Sequence, residues 1–361
     1  MKNIAFFITP HGFGHATRAA AIMQAIQEDN RNIKIHIYTL APRWIFEETL
    51  QGNFEYHPLL TDVGFVQHSP LKENIDETVQ KLSNLYPFES GYLETIAEEL
   101  KQNEVSVVIS DIAPVGILAA EAASIPSVLI ENFTWDWIYQ EYINDDPRFT
   151  KYINILHSYF KKATFHIQTQ PICLSDPTRN LLTNPVSRNS RIPRDILRNK
   201  MGIPEDRTVI LLTISNLDDG IIHKVAPKSS NLTVIIPGNY EKLTEENGWM
   251  YLPNHNQYFH PDLIQASDIV IGKMGYSTLA EIFYAPTRFL YISRPRFPES
   301  IPLSEFTKRN ITSLEMKFDD LVSGEWESYL SQLLKQPVTD HSHLVNGSKQ
   351  ISKFFSMNNF I

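Results

Sequence analysis

The sequence predicts an α/β protein made of two doubly wound parallel sheets, each covered by helices. Three observations carry that expectation. Short apolar runs alternate with stretches of helical period along the chain, a break rich in Arg, Asn and Pro interrupts the series near its middle, and 361 residues suffice for two domains that each bury a core.

The first series opens with the apolar run Ile4 to Thr9, the glycine turn HGFGH, and Ala16 to Gln27, where Ala, Ile and Met recur at helical spacing. That pattern is a strand, a loop and a helix. Further strands are expected at Ile33 to Leu40, Val105 to Ser110, Ser127 to Glu131 and Phe165 to Gln168, with helices at Tyr92 to Gln102 and Val115 to Ala123. The break NPVSRNSRIPRDI loses the apolar period. The division expected is therefore a first domain over 1–190, a linker over 191–203, a second domain over 204–340, and a last helix over 341–361 that packs back on the first domain. In the second domain, Val209 to Ile214, Leu232 to Ile236, Trp249 to Leu252, Ile269 to Ile271 and Thr287 to Ile292 read as strands, and Leu263 to Ala266, Thr278 to Tyr284 and Trp326 to Leu334 as helices.

Composition narrows the function classes. No stretch approaches the roughly 18 apolar residues of a membrane span, and the N-terminus lacks the features of a signal peptide, so a cytoplasmic protein is expected. The lone cysteine, Cys173, has no internal partner, and no Cys and His spacing reads as a zinc site. Net charge is -9, and residues 1–195 hold 16 Lys and Arg against 23 Asp and Glu. That balance argues against a nucleic-acid partner.

Two segments carry chemistry. In HGFGHATR, Gly12 and Gly14 allow a tight strand-to-helix turn, and His15 stands where the helix begins, able to act as a general base. Capping the turn is the simpler role for a lone histidine. A partner is available in Asp111, which follows the strand Val105 to Ser110 at the same sheet edge and would orient the imidazole. Its simpler role is a helix N-cap. In GKMGYSTLAE, Gly275 allows close approach of a ligand to the backbone, Lys273 adds a charge, and Tyr276, Ser277 and Thr278 open a helix whose N-terminus attracts anions. Glu281, one turn further, suits a ribose, although Thr278 and Glu281 also read as a capping box. The aromatic run Asn132 to Tyr142, with Trp135 and Trp137, offers a platform for an acceptor, with core packing as the alternative for most of it. His255 and His260 read as loop or surface residues.

On these motifs the chain resembles the UDP-sugar glycosyltransferases of the GT-B class. Their diphosphate motif is similar, without gaps, to Lys273 through Glu281, with Lys273 where the family has a phosphate-binding histidine and Ser277 where it has an asparagine. His15 and Asp111 match the family's base and its orienting aspartate in order and context. A resemblance over nearly the whole chain is to the glycosyltransferase-like N-terminal domain of plant L-arabinokinase and its bacterial relatives, through HGFGHATR, GFVQ at Gly64, SDIAPV, NFTWDWIYQEY, PDLIQASDIVIGKMGYSTLAE and the GEW of Gly324 to Trp326. The kinase activity is not implied.

The resemblance implies the GT-B architecture, two Rossmann-like domains across a cleft, and transfer from a nucleoside diphosphate sugar to a hydroxyl acceptor, inverting and without a metal or further cofactor. Gly14, Ser215 and Asn216 join the donor site, and Arg18, Arg294 and Glu299 touch the donor sugar or acceptor. One departure is TISNLDDG, Thr213 to Gly220, where relatives have a glycine-rich turn; Asp218 and Asp219 there are unfavourable to phosphate. Alternatives within the fold are a nucleotide-sugar epimerase, a nucleotide-sugar sensor without chemistry and, ranked low, transfer to a modified DNA base.

Overall fold

A computed structural model describes residues 2–69, 72–214, 231–253 and 258–361. Its chain divides into two compact units, Met1–Arg188 with Val345–Ile361, and Asn189–Leu344. Among the described residues no helix is long and apolar enough to cross a membrane.

Unit 1 holds the strands β1 (Lys2–Ile8), β2 (Ile33–Thr39), β3 (Phe54–Pro58), β4 (Gln67–Ser69), β5 (Lys72–Glu73), β6 (Val105–Asp111), β7 (Ser127–Glu131), β8 (Phe165–Thr169) and β9 (Leu181–Thr183). Its helices are α1 (Phe13–Asp29), α2 (Trp44–Thr49), α3 (Ile75–Leu85), α4 (Ser90–Gln102), α5 (Pro114–Ala123), α6 (Trp135–Gln140) and α7 (Phe149–Phe160). The main sheet runs β3-β2-β1-β6-β7-β8-β9, and every pairing in it is parallel. β4 and β5 form a separate antiparallel pair.

Alternation along β1 shows why the sheet is covered on both faces. Ile4, Phe6 and Ile8 join the core beneath the alanine-rich α1, whereas Phe7 meets α5 at Gly116, where a Cβ would lie 2.6 Å from the phenyl group. Parallel sheets buried on both faces read as continuous apolar runs, which is how β1 and β6 read.

Unit 2 begins with α8 (Arg194–Lys200), inside the 191–203 stretch expected as a linker. The arginines there have local acceptors: Arg194 and Arg198 both pair with Asp268, and the backbone amides of Arg191 and Ile192 donate to Asp262. Polarity that reads as a connector is thus a set of ion pairs holding α8 in place. The strands β10 (Thr208–Leu212), β11 (Leu232–Tyr240), β12 (Thr244–Glu246), β13 (Trp249–Pro253), β14 (Ile269–Lys273), β15 (Arg288–Ile292) and β16 (Ser313–Glu315) follow. They are ordered β12-β13-β11-β10-β14-β15-β16, and only β12 is antiparallel to its neighbour. The helices are α9 (His260–Ala266), α10 (Tyr276–Phe283), α11 (Ser300–Asn310), α12 (Phe318–Ser323) and α13 (Trp326–Leu334). Odd and even positions again part: Val209 and Leu211 pack toward α8, α9 and α10, Ile210 and Leu212 toward Trp326 and Leu330 of α13.

The last helix, α14 (Gly347–Met357), belongs to unit 1. The Asn346 side chain caps it by accepting from the Ser348 amide at 3.0 Å and donates to the Ser187 carbonyl at 3.0 Å. Ile351 and Phe355 are fully buried with Ala19, Ile22 and Ile26 of α1. Truncating that ring should leave a cavity in unit 1: we expect Phe355→Ala to lower unfolding free energy by about 3–5 kcal/mol, read as an earlier urea transition.

Candidate active site

In unit 1 the strand order reverses at β1, which has β2 on one side and β6 on the other. Open α/β sheets bind ligands at such switch points, beyond the carboxyl ends of the strands. Ile8 of β1 lies in register with Asp111 of β6, so whatever follows Ile8 meets the Asp111 side chain. The chain then turns at Gly12, whose φ of 70° suits glycine, and enters α1. His15 and Arg18, one turn apart on that helix, reach the same carboxylate.

The result is a buried cluster. His15 Nδ1 lies 2.7 Å from Asp111 Oδ1. Arg18 donates from Nε to Asp111 Oδ2 at 2.8 Å and from Nη2 to Oδ1 at 2.6 Å, a two-pronged grip, and from Nη1 to Asn132 Oδ1 at 2.6 Å. Asp111 is 1% exposed, Arg18 2% and His15 9%. Burial alone would push the Asp111 carboxyl up, but the Arg18 charge and the hydrogen bonds from His15 and Arg18 hold it below the ordinary carboxylate range. An ionised carboxylate only accepts, so the shared proton is assigned to His15 Nδ1, leaving the lone pair on Nε2. Nε2 has no hydrogen-bond partner among the described residues. The geometry is that of a histidine oriented to receive a proton.

Asp111 is not a helix cap, because α5 begins at Pro114 with Ala113 at its N-cap position. Arg18, expected against the sugar or acceptor, is committed to Asp111 and Asn132 instead, since a guanidinium buried beside a carboxylate must pair with it. Gly14 lies in the first turn of α1, its carbonyl accepting from Thr17 Oγ1 at 2.9 Å.

The aromatic run resolves into core and rim. α6 spans only Trp135–Gln140, so the run is helical only in its middle. Phe133, Trp135, Tyr139 and Tyr142 are buried, while Trp137 is half-buried. Trp135 presents its ring face-to-edge to His11, with centroids 4.9 Å apart, and donates from Nε1 to Asp62 Oδ2 at 3.1 Å. Asp62 also accepts from Thr9 Oγ1 at 2.7 Å. Sequence reasoning missed Asp62 and Asn132; Asp62 stands in a loop with no periodic pattern, and its role is fixed only by Thr9 and Trp135.

Unit 2 has its own switch point, at β10 between β11 and β14. The Thr213 amide donates to the Ile271 carbonyl at 2.8 Å, and a Cβ on Gly272 would stand 2.5 Å from Thr213 Oγ1, so glycine is required for that approach. Lys273 ends β14, half-buried and without a hydrogen bond or ion pair to the described residues. Burial, and then the neighbouring charge of Arg294, lower its ammonium from the ordinary value. Arg294 is itself buried, its guanidinium carbon 4.0 Å from the centroid of the Phe297 ring. Two cations held close in a partly dry setting attract an anion.

Gly275 is the N-cap of α10 and makes no side-chain cap; Ser277 and Thr278, half-buried, fall within the first turn, so the capping box does not form. Tyr276 is buried in the core of unit 2. Glu281 is buried too and lies 2.8 Å from His260 Nδ1 at the start of α9, so this histidine, expected on a loop surface, has a defined carboxylate partner. Glu299 is buried just ahead of α11. Ser215, Asn216, Asp218, Asp219 and His255 lie outside the described residues.

No family model matches the chain. L-arabinokinase of Arabidopsis thaliana is 29% identical over 339 residues, 91% of this chain and 32% of that protein, so the chain spans about a third of its length. Among solved structures, the calicheamicin glycosyltransferase CalG4 is similar with a TM-score of 0.60 at 13% identity, over 93% of this chain and 90% of that one. Phytolacca americana UGT2, complexed with UDP-2-fluoro-glucose and pterostilbene, is similar with a TM-score of 0.58 at 10% identity, over 100% and 94%. The fold is that of the GT-B glycosyltransferases.

The buried Asp62 generates a pH dependence. Burial pushes its carboxyl up to about 7 against the hydrogen bonds from Thr9 and Trp135, with a further push from the Asp111 charge. Its unfolded value is about 3.9, so between the two the folded state holds the extra proton. The stability it contributes is complete below about pH 4 and is lost as pH rises through about 7. Asp62→Asn should remove that loss, making urea unfolding midpoints less dependent on pH between 5 and 8 than in the parent.

Proposed function

We propose that this chain is a glycosyltransferase that moves a sugar, a hexose or a pentose, from a nucleoside diphosphate sugar to a hydroxyl acceptor. We infer a uridine-linked donor, inversion at the anomeric carbon, no metal ion, and no cofactor besides the co-substrate. The observation that carries the reading is the His15–Asp111 pair, 2.7 Å apart at the switch point of unit 1, within a fold shared with glycosyltransferases. The lone cysteine favours a reducing, cytoplasmic setting.

In this mechanism His15 Nε2 takes the acceptor hydroxyl proton as its oxygen bonds to the anomeric carbon. The bond from that carbon to the diphosphate breaks, and the diphosphate leaves with the electron pair. Asp111 stabilises the imidazolium that results, and Arg18 keeps Asp111 ionised and fixed. In unit 2, Lys273 and the amides opening α10 suit the departing negative charge. Support for a uridine-linked donor comes from the resemblance of the Lys273 to Glu281 segment and from the UDP-sugar analogue bound by the Phytolacca americana protein. L-arabinokinase is larger, and its kinase activity is not proposed for this chain.

Two measurements test the reading. A thermal-shift screen over nucleoside diphosphate sugars should show stabilisation by at least one, roughly 2.7 kcal/mol at a hundred times its dissociation constant, and Lys273→Ala should weaken that ligand by about ten- to a hundredfold. With donor and acceptor in hand, His15→Ala should reduce turnover by about two to four orders of magnitude. Unchanged turnover in His15→Ala would sink the mechanism, and an epimerised sugar formed from donor alone would replace transfer with epimerisation.

A further inference from the structure

Away from the switch point, the edge of the unit 1 sheet carries a polar group that the transfer reading does not use. β2 and β3 pair in parallel with His36 opposite Glu55 and Tyr38 opposite His57. Ile35 and Ile37 face the core under α1, so Lys34, His36 and Tyr38 share the other face with Glu55 and His57. There, His36 is 1% exposed, His57 half-buried and Glu55 exposed.

Their ligating atoms converge. His36 Nδ1 is 3.2 Å from His57 Nε2 and 3.8 Å from Glu55 Oε2, and one atom from each residue lies within 4.8 Å of the other two. A tetrahedral zinc ion with bonds of about 2.0–2.1 Å holds its donors about 3.3–3.4 Å apart. The two nitrogens already meet that spacing, and the exposed Glu55 carboxylate reaches it by a small side-chain rotation.

The surroundings are those of a metal-ligating histidine. His57 Nδ1 lies 3.0 Å from Glu99 Oε1 on α4, and Tyr38 donates its hydroxyl to the same oxygen at 3.0 Å. A carboxylate behind one ring nitrogen fixes the tautomer and points the lone pair of the other at the metal. The Tyr38 ring stacks on that of His57 with centroids 4.3 Å apart, setting the imidazole plane. One competitor is present: Lys34 Nζ stands 2.7 Å from Glu55 Oε2. That pair is partly exposed, and such pairs contribute little, so the carboxylate is available for exchange.

We propose that His36, Glu55 and His57 form a binding site for a divalent first-row metal of the zinc type, which clips the edge strand β3 to β2 and leaves a coordination position open to solvent. Two imidazoles and a carboxylate suit zinc and its neighbours rather than calcium or magnesium. The site belongs to unit 1 alone and takes no part in the transfer reaction, so it stands or falls separately from that reading.

Titration of the untagged, chelator-treated full chain with zinc chloride against a chromophoric chelator tests it. One zinc per chain is expected, with a raised unfolding temperature. Glu55→Gln, an exposed change that leaves the fold intact, should weaken binding at least tenfold, as should His57→Gln, and Glu99→Gln by about ten- to a hundredfold. Lys34→Ala, which removes the competitor, should tighten it. Absence of stoichiometric zinc, or affinity unchanged in Glu55→Gln and His57→Gln, would overturn the site.

Discussion

The candidate chemistry of unit 1 depends on the two-pronged grip of Arg18 on Asp111. A carboxylate with 1% exposure has lost nearly all its water, and an isolated one would take up a proton. Arg18 replaces the water with donors at 2.6 and 2.8 Å to the two oxygens, which keeps Asp111 an acceptor and fixes its rotation. Only then does His15, 2.7 Å away, have a defined tautomer. Asn132 extends the constraint by holding Nη1 of the same guanidinium, so β7, β6 and α1 are tied through one side chain.

That arrangement is possible only because of strand order. Asp111 and the first turn of α1, which carries His15, are distant in sequence, and parallel pairing of β1 with β6 places Ile8 beside Asp111. The reversal of order at β1 leaves the ends of these strands uncovered by a crossing helix, and both chemistry-bearing residues project there. Unit 2 repeats the principle at β10 and β14, where Gly272 admits the Thr213 side chain and Lys273 follows at the strand end.

Much of this was legible in the sequence. Apolar runs gave β1, β6, β7, β10, β14 and β15, because buried parallel strands are apolar on both faces; the short β9, β12 and β16 at sheet margins lack that signal, and β3 alternates. His15 and Asp111 stood out as residue types at strand ends, but their contact is a product of pairing. Arg18 read as a ligand contact because its charge was visible and its burial was not. Likewise, His36, Glu55 and His57 have no motif spacing, and strand register alone gathers them. The arginines of α8 read as a connector because Asp268, which pairs with both, comes some seventy residues later.

The charge balance of the cluster bears on what Asp111 can do for His15. With Asp111 ionised and Arg18 cationic the pair is neutral, so Asp111 stabilises a new positive charge on the imidazole less than a bare carboxylate would. Fixing the ring's orientation through the 2.7 Å contact is therefore a contribution of the aspartate beside charge stabilisation. The nearby Asp62 carboxyl, pushed up to about 7, stays largely protonated below neutrality. Above neutrality it ionises, and its negative charge then opposes that of Asp111, one of the causes that raise it. Thr9 and Trp135 hold Asp62 in place, so this carboxyl is fixed beside the cluster without belonging to it.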